Sequence, residues 1–447
     1  MCRVDALTRN PCHPASATDC GKHSFRSVDI DLYFQRFGYC DRQIEATPEP
    51  GLAMVVVIPC HDEPDLITCL NSLWTCRRPT AALEVIVVIN SSETAPDDLR
   101  TRNQNSWSEA TDWIHQHDDK QFRVHLLHIP DLPKKHAGVG LARKIGMDEA
   151  VRRLSSTGHP EGVLICLDAD CTCDPDYLVA IEDCFRDHPE APGCSIYFEH
   201  PLEGPLDPAI YKAVTPYELH LRYYVHGLRF ARFPHAHHTV GSSMAVRANA
   251  YCRQGGMNRR KAGEDFYFLQ KIIPLGAFRD ITNTCVRPSP RPSHRVPFGT
   301  GKAVRDGIES GTCVTYPFQA FIDLKQLFEQ LPDPARLSVG DWFPESLSDP
   351  MTQFLRTAGF EASLREIQQN TSSAEAFRKR FFTWFNGFLA MKYIHFARDQ
   401  FYGPGAITDA PAELLKRIQP DAQLESTNGA VADLLNAYRA LDRGLLR

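Results

Sequence analysis

The chain has 447 residues, 43% hydrophobic and 23% charged, which is enough for two or three domains and a large core. A net charge of −6 excludes a global attraction to nucleic acid or to anionic lipid. The 15 cysteines are odd in number and form no C-x-x-C pair, which points to reduced thiols and a cytoplasmic setting.

Residues 1–50 are expected to be an N-terminal extension, with a short helix at Ile30–Cys40. MCRVDALTRNPCHP holds no apolar signal core. From Leu52 a βαβ rhythm begins. Met54–Ile58 is a β-branched run stopped by Pro59, and Leu66, Leu70, Leu73 and Trp74 follow at helical spacing. Leu83–Ile89 and Arg123–Ile129 read as further strands, Asp97–His117 and Gly138–Leu154 as the helices between them. Val163–Leu167 is a short apolar run of the kind a fully buried parallel strand shows. Strands alternating with helices of this length imply a parallel sheet, hence an α/β fold.

Tyr177–Phe185 continues as helix and Gly193–Phe198 as strand. Asp207–Phe233 reads as a long helix broken at Pro216, and Thr239–Arg247 as extended chain. Gly255-Gly256 makes a turn, Gly263-Glu264-Asp265 opens a helix reaching Ile273, and Arg279–Val286 is a strand. Pro288–Gly301 is a Pro/Arg/Gly-rich loop, with Gly299-Thr300-Gly301 suited to a flexible lid. After residue 302 the rhythm stops, and Phe318–Leu331, Met351–Gln369 and Ala374–Tyr402 read as helices. The last is very aromatic, but Asn386, Lys392, His395 and Arg398 make it too polar to span a bilayer. It is expected to dock on the sheet as a core helix. The organisation expected is thus 1–50, 51–301 and a helical 302–447.

The chemistry centres on Asp168-Ala169-Asp170 at the end of the Val163–Leu167 strand. Ligands of open α/β sheets sit outside the carboxyl ends of strands. Two carboxylates there need a partner, because an unpaired buried carboxylate is costly. A divalent cation with a phosphate-bearing ligand suits them, since hard cations choose carboxylate oxygens. A solvated strand-to-loop turn is the plain alternative.

Five segments in order resemble the family 2 glycosyltransferases of the GT-A fold. VVVIPCHDEPDLITCLNSL resembles the family's first strand, its exit and the next helix. Ala142-Arg143-Lys144-Ile145-Gly146 resembles its Ala-Arg-Asn-x-Gly helix, and LDADC its Asp-x-Asp strand end. VGSSMAVRANAYCRQGGM resembles its Gly-Ser run, and AGEDFYFLQK its Glu-Asp motif. The resemblance spans about residues 52–300. It implies a Rossmann-like, mostly parallel sheet and transfer of a sugar, by a hexosyltransferase, from a nucleotide-diphosphate donor. Mn2+ or Mg2+ would bridge the diphosphate.

Carried over residue by residue, the resemblance makes Asp265 the general base, with Glu264 positioning it or binding acceptor. His61, Glu63, Asn90, Arg143 and Asp168 would hold the nucleotide. Asp170 would ligate the metal, with His294 as a further ligand. Inversion by single displacement is the family expectation. The sequence departs from the family at His61-Asp62, at Asn90-Ser91-Ser92 and at Lys144, which leaves the base, the sugar and the acceptor open.

Structural readings stand beside these. Glu264 and Asp265 suit a helix N-terminus, Glu63 a helix cap, Asn90 a turn and Arg143 a solvated helix face. His235, His237 and His238 have no acids near them in sequence, so they read as solvated or acceptor-lining groups. Arg291 and Arg295 suit a phosphate clamp or an exposed loop. Two rivals remain. A nucleotidyltransferase would want a Gly-rich basic loop where CHDEPD is acidic. A non-catalytic nucleotide-sugar-binding scaffold would keep the fold without turnover.

Overall fold

The structure is a computed structural model describing residues 29–117, 119–293, 295, 299–332, 344–420 and 430–445. The apolar runs become strands β1 (Leu52–Cys60), β2 (Ala82–Ser92), β3 (Phe122–Leu132), β4 (Val163–Cys166), β5 (Cys171–Cys173), β6 (Gly193–Phe198), β7 (Met244–Arg247) and β8 (Arg279–Pro288). They form one sheet in the order β3-β2-β1-β4-β7-β6-β8-β5. Four neighbouring pairs are parallel, and three, involving β7 and β5, are antiparallel. The expected mostly parallel, Rossmann-like α/β architecture is present.

The helices of this part are α1 (Ile30–Phe37), α2 (Leu66–Trp74), α3 (Asp97–Gln116), α4 (Val139–Ser156), α5 (Tyr177–Asp187), α6 (Pro208–Phe230), α7 (Ala248–Arg253), α8 (Glu264–Ile272) and α9 (Thr300–Ser310). The period-two alternation of β1 sorts them into two layers. Met54, Val56 and Ile58 pack with α2, α3 and α5, while Val55 and Val57 pack with α1, α4, α7 and α8.

Beyond these lie α10 (Phe318–Glu329), α11 (Asp349–Thr357), α12 (Phe360–Gln369), α13 (Ala374–Trp384), α14 (Gly387–Ala397), α15 (Asp409–Ile418) and α16 (Ala430–Asp442). They share a third core with α6. No helix among the described residues is long and apolar enough to cross a membrane.

Several boundaries differ from the sequence reading. β1 does not stop at Pro59. Val57 O accepts from Leu167 N, so the amide of the residue two further on also faces β4, which has already turned away. Pro59 therefore costs the ladder nothing. α6 is not broken at Pro216, because α9, α10, α15 and α16 clamp it along its length. The expected Met351–Gln369 helix is cut at Gly359, whose φ is +72°. The aromatic Ala374–Tyr402 segment is cut where Asn386 caps α14 through Phe388 N and Leu389 N. Its rings meet helices and not the sheet: Phe382 packs on Phe233 and Phe328, and Tyr393 on Phe354.

Candidate active site

Helix α4 lays Leu141, Ala142, Ile145 and Ala150 on the sheet, which carries Arg143 into the interior at 2% exposure. Its Nη2 donates to Asp168 Oδ1 at the exit of β4, and its Nη1 to Glu264 Oε1 at the first turn of α8. One guanidinium thus joins two acids almost a hundred residues apart in sequence. The planar fork permits this, and an ammonium could not span both. Gly241 makes the room, for a Cβ there would lie 2.7 Å from Arg143 Nη1.

Asp170 stands next to this bridge without a cation. No ion pair among the described residues reaches it, and its contact is with Cys171 Sγ at 3.6 Å. Burial, then the charges of Asp168 and Glu63, push its carboxyl up to about 7. The nearest guanidiniums are committed to the buried Glu63. Arg291 Nη2 lies 2.5 Å from Glu63 Oε1, and Arg295 Nη1 lies 3.1 Å from Oε2. Glu63 Oε1 also accepts from Asp65 N, at the start of α2, at 2.9 Å. Arg291 and Arg295 thus both latch onto Glu63.

On the other side of Arg143 lies Asp265, partly accessible. Its Oδ1 accepts from Phe266 N at 2.7 Å, and Gly241 N–H also faces the carboxylate. Burial raises its pKa, Arg143 works against the rise, and Asp168 adds to it. Burial likewise lifts Glu264 to about 7 in spite of Arg143. Tyr217 is close enough for the charge of Asp265 to act on its phenol, and it hydrogen-bonds Thr300 at the start of α9. The Thr300 hydroxyl lies 3.2 Å from His200 Nε2, whose Nδ1 lies 3.0 Å from Glu218 Oε2. Glu218 and Thr300 thus hold the two ring nitrogens of His200.

Where β1 and β2 end, His61 Nδ1 lies 2.7 Å from Asn90 O, which also accepts from Asn103 Nδ2 at 3.0 Å. Asn90 is buried, and its Oδ1 has no hydrogen-bond partner among the described residues. A cavity of about 340 Å3, lined in part by Ser91, Asn103 and His128, opens beside it.

The structure thus gathers Arg143, Asp168, Asp170, Glu264 and Asp265, with Glu63 reaching Asp170 by charge and His61 joined to Asn90. His294 lies outside the described residues. Among those residues no group of three or more His, Cys, Asp or Glu is set to hold a metal ion. The histidines of 235–238 are neither a metal cluster nor without acids, as distant elements supply them. His237 Nδ1 lies 2.9 Å from Asp280 and His238 Nε2 3.0 Å from Asp442, while burial lowers His235 to about 4. Tyr217 and His200 carried no signal in sequence, and Thr300 was marked only as part of a turn suited to a lid, since each is an ordinary residue until the elements around it meet.

No family model and no curated protein matches the chain. Solved structures do. The chain is similar to residues 1–349 of TarS from S. aureus in complex with UDP-GlcNAc, at 14% identity and a TM-score of 0.36, covering 88% of this chain and 91% of that one. It is similar also to the mannosyltransferase PcManGT from Pyrobaculum calidifontis in complex with GDP-Man and Mn2+. There the identity is 15% and the TM-score 0.33, covering 93% of this chain and 94% of that one.

Proposed function

We propose that the chain is a GT-A, family 2-like glycosyltransferase that moves a sugar from a nucleotide-diphosphate donor to an acceptor hydroxyl, with inversion. Residues 51–301 would hold the donor, and the helices from 302 onward would shape the acceptor side. The observation that carries this reading is the Arg143 bridge. It supports the reading because it joins an acid of the β4 exit to the Glu264-Asp265 pair.

Asp170 supports a divalent-cation site. It is a carboxylate raised to about 7 by burial and by the charges of Asp168 and Glu63, with no ion pair of its own among the described residues. Two carboxylates plus water and diphosphate oxygens are a usual set for Mg2+ or Mn2+. A cation held there would neutralise charge on the leaving diphosphate. Asp265 then takes the acceptor proton at the carboxylate oxygen that Phe266 N–H leaves free, and its raised pKa makes it the stronger base. Glu264 keeps Arg143 in place. Asn90 Oδ1, an acceptor without a donor, faces the role of reading a base N–H.

The test is metal-dependent binding and turnover of UDP-, GDP-, ADP- and dTDP-sugars. Asp170→Ala should abolish binding that depends on Mn2+. Asp265→Asn should keep donor affinity yet lower turnover by about two to four powers of ten, the usual weight of a general base. Donor binding that is indifferent to EDTA, or turnover that survives Asp265→Asn, would refute the respective role.

A further inference from the structure

Helix α2 presses one stripe, Cys69, Ser72 and Cys76, onto the segment that carries the two strand-end acids. Cys69 Sγ lies 3.5 Å from Asp168 O. Ser72 Oγ accepts from Cys173 N at 2.7 Å and lies 3.4 Å from Cys173 Sγ. Cys76, just past the helix end, lies 3.4 Å from both Ser72 O and Asp174 O. Cys76 Sγ and Cys173 Sγ are 3.6 Å apart, although 97 positions separate them in sequence.

We infer that Cys76 and Cys173 are a reversible dithiol–disulfide site, closed by a peroxide. Three features of the geometry support it. The sulfurs are already in contact, and a disulfide needs them about 2.05 Å apart, a small approach. Ser72 holds the Cys173 backbone, so the thiol cannot swing away. Cys173 is partly exposed and Cys76 keeps 4% of its surface, which suffices for a reagent of four atoms. The electrostatics agree, because the hydrogen bond from Cys173 lowers the Cys76 pKa in spite of burial. A stabilised thiolate is the nucleophile in such chemistry.

The steps balance. Cys76 gives up its proton, the thiolate attacks one peroxide oxygen, and the O–O bond breaks; the departing hydroxide takes that proton back and leaves as water, giving a sulfenic acid at Cys76. Cys173 sulfur attacks that sulfur, the S–O bond breaks, and the hydroxyl leaves with the Cys173 proton as a second water. Two thiols lose two electrons and the peroxide gains them. The bond ties the end of α2 to β5, three residues beyond Asp170. The site stands independently of the sugar-transfer reading, since the chemistry is read on the thiols themselves.

The experiment treats the full chain, reduced and freed of small thiols, with equimolar hydrogen peroxide. Remaining thiols are then alkylated and the digest is mapped by mass spectrometry. The expected product is a Cys76–Cys173 linked peptide pair, lost on dithiothreitol treatment, with Cys69 and Cys171 recovered alkylated. Cys76→Ser and Cys173→Ser, made separately, should each abolish that pair, while Ser72→Ala should slow its formation several-fold. Recovery of both cysteines as thiols, a different pairing, or sulfinic acid at either position would overturn the site. The wild-type map alone decides, so a variant that fails to fold removes only a control.

Discussion

Arg143 decides how the acids of the cleft coexist. Glu264 has only 3% of its side chain exposed and Asp168 36%, and the guanidinium between them is itself buried. Removing one partner of such a pair leaves a buried charge without compensation. Arg143→Met should therefore cost about 3–5 kcal/mol in urea unfolding. Arg143→Lys should recover only part of that, since a point charge cannot face both acids. The double variant Arg143→Met/Glu264→Leu should cost less than the sum of the two single variants, and a cost equal to that sum would show that the pair is not coupled. The acids themselves were legible in sequence, because strand-end and helix-start positions are local properties. The bridge was not. A lone arginine in a helix gives no sign of which way it faces until Gly241 and the α8 start arrive beside it.

Helix α4 sets that arginine by lying flush on the sheet. A Cβ at Gly146 would meet Val57 Cγ1 at 2.5 Å and Val88 Cγ2 at 3.1 Å, both on buried strands that cannot give way. Gly146→Ala should thus lift the helix and lower stability by about 1–3 kcal/mol, the usual cost of overpacking. Adding Val57→Ala should restore much of it. A thermal unfolding midpoint unchanged by Gly146→Ala would mean that α4 rides higher than described. Elements of this kind were well marked by periodicity, and β1, β2, α4 and β6 fall where their apolar patterns put them. The departures share one cause. Pro59 and Pro216 are local stop signals overruled by a missing neighbour in one case and by four clamping helices in the other. The aromatic run of 374–402 is apolar enough for any core, so its docking partner was decided by α6 and α10 and not by its own composition.

The C-terminal helix is joined to α6 by buried charge. Asp442, on the last helix, accepts from Arg222 at 2.5 Å, Arg229 at 3.1 Å, His226 at 2.9 Å and His238 at 3.0 Å. Glu218 lies beneath, paired with Arg222 at 2.7 Å and Arg439 at 2.8 Å, and it orients the His200–Thr300 hydrogen bond next to Tyr217. Burial alone would raise the Asp442 pKa, but the opposing charges of His238 and His226 and their hydrogen bonds hold it well below the carboxylate range. A folded pKa below the unfolded value of about 3.9 means a contribution that is full above that pH and fades as pH falls further. Asp442→Asn should consequently cost about 3–5 kcal/mol near pH 7, because two arginines lose their buried carboxylate and two histidines a hydrogen-bond partner. Against wild type, that penalty should grow as pH falls toward about 4, because His226 charges beside the carboxylate only in the wild type, and shrink below it as Asp442 takes up its proton. Urea unfolding of both proteins across pH 2–7 reads this difference directly, and subtracting the two curves removes the titrating groups that Asp442 does not touch. A penalty that did not shrink below about pH 4 would mean that the ionised carboxylate does not anchor the C-terminal helix.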